Sequence, residues 1–231
     1  MSEPNHALLS VRGEARAIVA PDFGVLDGTL TATREPKAAA LQLAADRLRE
    51  LTDTLSSLGG VPLSVDSEKR SLTWSAYSAT TEAEHETDER TGRYRPTGRT
   101  IATTTLQLVV RDFDLIDGLG SALATHDGFN VRHVHWDADP DNPAWPEVRA
   151  AAIRAAIAKG RDYAAALGGA LIRIEHIADV GLLGTEATVR PMALSGRAMA
   201  AGFPEVPSLD PVPQELVAII DASFVADLPL G

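Results

Sequence analysis

Ile101-Ala-Thr-Thr-Thr-Leu-Gln-Leu-Val-Val110 is the stretch that decides the fold. It is rich in Thr and Val, residues that fit a pleated, half-buried surface, and it predicts a β-strand. Just beyond it, Asp112 suits the cap of a short helix carrying Leu115, Leu119 and Leu123, which Gly128 stops. Phe129 to Trp136 reads as a further strand. Upstream, Leu72, Trp74 and Ala76 alternate with Thr73, Ser75 and Tyr77, the period of a half-buried strand. Between the two lies a polar run: Glu82, Glu84, His85, Glu86, Asp88 and Glu89, then Arg90, Arg93, Arg95 and Arg99. It reads as an exposed hairpin loop.

Further out, Leu9, Val11, Gly13, Ala15, Ala17 and Val19 alternate with polar residues. Leu26, Gly28, Leu30 and Ala32 repeat the pattern after Pro21-Asp22. So short a break predicts an antiparallel hairpin. Pro36 suits a helix start. Leu41, Ala44, Leu48, Leu51, Leu55 and Leu58 then step by three and four on one stripe, and Gly59-Gly60 is a left-handed stop. Asn142-Pro143 opens a second long, alanine-rich helix to Leu167, with Val148, Ala151, Ala152, Ala155 and Leu167 as core candidates. Leu171 to Val180 and Leu216 to Val225 are strands. Residues 181–213 show no period and read as a long loop.

This order lacks the strict βαβα rhythm of a doubly wound sheet. It predicts an α+β fold: a mixed, largely antiparallel sheet of about seven strands with about three helices on one face. The chain reads as a single domain over residues 1–231. Two β–α–β stretches, 24–79 and 99–138, point to two sub-lobes of about 1–98 and 99–231.

Composition excludes several classes of function. There is no cysteine, so disulfides, thiolate nucleophiles and iron–sulfur clusters are ruled out. Acidic residues outnumber basic ones 32 to 21, for a formal net charge of -11. Such a surface repels phosphate backbones and anionic headgroups, so neither nucleic acid nor membrane insertion is expected. No stretch approaches the roughly 20 apolar residues of a bilayer span. The start, Met1-Ser-Glu-Pro-Asn-His6, has no basic, apolar or cleavage region of a signal peptide, and with Met1 as the native start a cytoplasmic location is expected.

The placed segments resemble the SIMPL-domain family, a domain of unknown function. Ser10-Val-Arg-Gly-Glu-Ala15 with Val19-Ala-Pro-Asp22 resembles its first strand and turn. The first helix, ending at Gly59-Gly60, comes where expected. Ala102 to Asp112 resembles its central strand, with Arg99-Thr100 where relatives often have Gly-Tyr. The Ala-rich helix, Arg190-Pro-Met-Ala193 and Gln214-Glu-Leu-Val217 complete the order. The resemblance implies homo-oligomeric, ring- or channel-like assembly as in some relatives, a loose link to oxidative-stress tolerance, for animal relatives a link to a kinase signalling pathway, and no known catalytic residues. It also implies an envelope location for many relatives, which carry signal peptides.

The best constellation for chemistry is His133-Val-His135-Trp-Asp137-Ala-Asp139. On a strand its His and Asp residues share one face, and two imidazoles with a carboxylate can bind zinc, manganese or iron. The run overlaps the His-x-His-x-Asp-His signature of the metallo-β-lactamase fold, but Ala138 stands where the last His belongs. Phosphate loops and nucleophile elbows are missing from the sequence. The expectation is therefore a non-enzymatic, cofactor-free protein that assembles with itself. The alternative is a metal-dependent hydrolase using His133, His135 and Asp137. For self-contact the candidates are Met192, Leu194, Met199 and Phe203, apolar residues of the long loop that are costly to leave together in water.

Overall fold

A computed structural model describes residues 6–88, 92–179 and 209–229. In chain order they form β1 (His6–Val19), β2 (Phe23–Arg34), α1 (Lys37–Ser57), β3 (Val61–Pro62), β4 (Leu72–Thr87) and β5 (Tyr94–Val110). Then come α2 (Ile116–Thr125), β6 (Phe129–Asp137), α3 (Trp145–Ala166), β7 (Ala170–Asp179) and β8 (Gln214–Asp227). The α+β reading stands. The strands, however, are shared between two sheets, ordered β1-β8-β7 and β3-β4-β5-β2-β6, antiparallel except for the short β3–β4 pair. Of the expected loop, 181–208 lie outside the described residues, and 209–213 carry no helix or strand.

The expected hairpin of β1 with β2 does not form. β1 pairs along its whole length with β8, from His6 opposite Asp227 to Val19 opposite Gln214. β2 lies in the other sheet, between β5 and β6. Pro21 breaks the strand, but a break does not set the direction of the next one, and a partner two hundred residues away leaves no local trace.

The described residues fall into two compact units. One comprises 6–19, 140–179 and 213–229; the other comprises 20–88, 92–139 and 209–212. In the larger unit, Leu26 and Leu30 of β2, Leu72 of β4, and Leu106, Leu108 and Val110 of β5 meet Leu51 and Leu55 of α1 and Leu119 and Leu123 of α2 in one cluster. Both helices therefore lie on one face of the five-stranded sheet. The start of α1 approaches closer, through Ala40 and Ala44 against Ala32 and Ala102. That closeness corrects the expected stripe. Ala40 takes the inner place and Leu41 is turned outward, 46% exposed.

Residues 82–99, expected as a loop, are mostly strand. The β4–β5 ladder runs on to Thr87 opposite Tyr94, with a bulge at Tyr77 and an irregularity where Glu84 faces Thr97 to Arg99. Beyond the Arg34–Thr100 pair, β5 has no partner but β4 among the described residues, and both faces of this ribbon are exposed. With neither face buried, no apolar alternation marks it. Ion pairs of Arg95 with Asp88 and Arg99 with Glu84 tie its rungs together.

In the smaller unit, α3 packs on β1 and β8 through Ala152, Ala156, Gly160 and Ala164, one small residue per turn. Ala151 and Ala155 lie beside this row, and Leu167 is 46% exposed, contrary to the core expected for them. The small stripe brings the helix against Gly13 of β1, where a Cβ would stand 2.1 Å from the Ala152 carbonyl oxygen.

Candidate functional site

Among the described residues β6 is an edge strand, paired only with β2. Val131, Val134 and Trp136 pack toward the leucine cluster, while His133, His135 and Asp137 are exposed together on the opposite face. The alternation read from the sequence is thus real, except that a bulge after Val131 turns Arg132 outward as well. The rings of His133 and His135 lie side by side, 5.6 Å between centroids and tilted by 32°. His133 is directly across from Asp27, whose carboxylate accepts a 3.1 Å bond from the Gln107 amide. The Asp137 carboxylate accepts from the next backbone amide, Ala138, at 2.8 Å. Among the described residues, no three His, Asp or Glu side chains stand together as a ligand set for a metal.

Asp139, expected on that same face, leaves it. β6 ends at Asp137, and Asp139 turns to Arg111 at the end of β5. The guanidinium donates to both carboxylate oxygens, at 2.7 and 3.2 Å. It also donates to the Glu68 carbonyl at 3.1 Å and lies 4.7 Å over the Phe23 ring. Lys69 adds a 3.0 Å contact, and the Asp139 amide donates to Asp22 at 2.8 Å. The Arg111 hydrogen bonds, with help from Lys69, hold the Asp139 carboxyl below the usual carboxylate range despite its partial burial. This cluster joins four separate stretches of chain, and no spacing in the sequence announces it. Arg111 and Lys69 both pair with Asp139, so the cluster clamps these stretches together.

The clamp makes a pH prediction. A depressed carboxyl stabilises the fold above its unfolded value, near 4, and that contribution fades as pH falls through the lower folded value. Asp139→Asn is expected to cost about 2 kcal/mol at pH 7, the scale of hydrogen bonds to a charged group. The gap to the parent should narrow steadily in denaturation curves taken below about pH 4. A gap of equal size at pH 7 and pH 3 would contradict the assignment.

In the smaller unit, β7 is also an edge strand among the described residues, and its inner face is incompletely covered by them. Near its start, Leu171 lies close to Gly160 of α3. Near its end, helix and strand leave an open groove of about 540 Å³ between Arg149 and Ile153 on one side and His176 to Asp179 on the other. Ile172, Ile174 and Ile177 are 50%, 48% and 40% exposed. Met192, Leu194, Met199 and Phe203, the residues expected to make self-contacts, lie outside the described residues.

The model of one protein family, described as "SIMPL: Protein of unknown function (DUF541)", matches residues 9–224, nearly the whole chain. The chain belongs to the SIMPL family. No curated protein matches it. The segments that resemble SIMPL now have places. Ser10 to Ala15 is the part of β1 that lies under α3, with Gly13 at the closest approach. Ala102 to Val110 is the inner half of β5, and Asp112 accepts from the Asp114 amide at 3.2 Å to start the turn into α2. Each of these SIMPL features serves packing or capping. No helix among the described residues is long and apolar enough to cross a membrane.

Proposed function

We propose that this SIMPL protein works as a non-catalytic homo-oligomer, in which assembly itself creates the functional object. The observation that carries the reading is β7. Among the described residues, one edge of this strand has no partner, and three isoleucines along it are about half exposed. A free edge bordered by apolar side chains is a template for another chain unless something blunts it. Here a second copy supplies the cover. The β4–β5 ribbon adds a polar contact. Tyr94 is exposed on it, and Glu86 has no ion-pair partner among the described residues. Contact between two different patches is heterologous, and such contacts close into rings when the rotation permits.

The experiment is a pair of variants compared with the parent by size-exclusion chromatography. Ile174→Glu with Ile177→Glu places two carboxylates on the free edge, and deletion of residues 185–207 removes Met192, Leu194, Met199 and Phe203. Both should yield smaller species with unchanged far-UV circular dichroism. Elution of both variants at the parent's position would count against β7 and residues 185–207 as the contact.

A further inference from the structure

We infer that His133 and His135 form a two-point surface site for an exchangeable Cu²⁺ ion, independent of the assembly reading. The two rings already stand 5.6 Å apart at a tilt of 32°, so modest side-chain rotation can turn one nitrogen of each toward a common point. Both residues are exposed, on an edge strand, and neither ring has a hydrogen-bond partner among the described residues to break first. Strand geometry fixes their common face, because residues two apart project the same way. The surroundings favour a cation. Asp27 is directly across from His133, and Asp137 follows His135 on the same face. Arg132, turned outward by the bulge, is the one opposing charge on this strand.

The donor set selects the ion. Neutral imidazoles bind Cu²⁺ more tightly than the other divalent first-row ions, while Mg²⁺ and Ca²⁺ prefer oxygen. No third protein ligand stands with the pair among the described residues, so water completes the coordination and the ion exchanges freely. A two-point site owes its affinity to the second contact being intramolecular. Losing either imidazole therefore removes the advantage of both.

The test uses the full chain titrated with CuCl₂ by calorimetry at pH 7.5 in a non-coordinating buffer. One site is expected whose affinity falls by about a hundredfold in either His133→Ala or His135→Ala, and little further in the double variant. His85→Ala, which removes an exposed histidine on β4, should leave it unchanged, and millimolar Mg²⁺ should not compete. Exposed positions tolerate substitution, so thermal unfolding of all variants should match the parent. Equal Cu²⁺ affinity in the parent and the double variant would overturn the site, as would failure of the parent to bind. Loss in one single variant but not the other would overturn the two-point geometry.

Discussion

Gly13→Val should destabilise the protein by about 4 kcal/mol, the largest effect expected from any single substitution proposed for this chain. A Cβ at Gly13 would sit 2.1 Å from the Ala152 carbonyl oxygen and 2.8 Å from both the Ala156 nitrogen and Cβ. Two of those three atoms belong to the α3 backbone, so no rotamer change relieves the overlap. The whole helix must withdraw, and with it Ala152, Ala156 and Gly160 lose their contact with the sheet. Gly118→Ala is the matched control. Its Cβ would meet only the Leu58 side chain, at 3.6 Å, within α2. It should stabilise by about 0.5–1 kcal/mol by restricting the unfolded chain. Urea denaturation of the two variants measures both. A Gly13→Val protein within about 1 kcal/mol of its parent would mean that α3 does not lie against β1 as described.

Leu55→Ala should cost about 3 kcal/mol, whereas Leu41→Ala, the same change on the same helix, should cost under about 0.5 kcal/mol. Leu55 is fully buried in the cluster with Leu26, Leu30 and Leu106, so its loss leaves a cavity. Leu41 is 46% exposed and α1 docks there through Ala40. The periodicity of the sequence places both leucines on one stripe and predicts equal costs. Equal losses in the two variants would favour that stripe over the docking seen in the structure.

That pair of leucines shows where sequence reading stops. A period of three and four identifies α1 and its inner side to within one residue. Which of two adjacent residues faces inward depends on how closely the helix approaches the sheet, and that is set by Ala32 and Ala102 on other strands. Strands are legible wherever one face is buried, as along β1, β2, β6 and β8. The distal β4–β5 ribbon is not, because both its faces are wet and its cross-strand ion pairs read as loop polarity. Pairing of β1 with β8 is invisible for a different reason. Alternation tells which face of a strand is buried but not which strand lies beside it.

The candidate site divides the same way. His133, His135 and Asp137 do share one exposed face, as a period of two requires. The strand's end at Asp137, and with it the diversion of Asp139, depends on Arg111 some thirty residues earlier in the chain. Arg111 comes directly after the central strand without any signal of its role. The half-covered isoleucines of β7 are equally hidden. An apolar run looks the same whether a helix covers it fully or, as α3 does, leaves one end open.

The central claim is that this SIMPL protein assembles, and its native mass tests it most directly. Multi-angle light scattering across micromolar concentrations should give a mass of several chains that stays constant on dilution through that range. A mass of one chain at every concentration would contradict the account and remove the basis for treating β7 as a contact between copies.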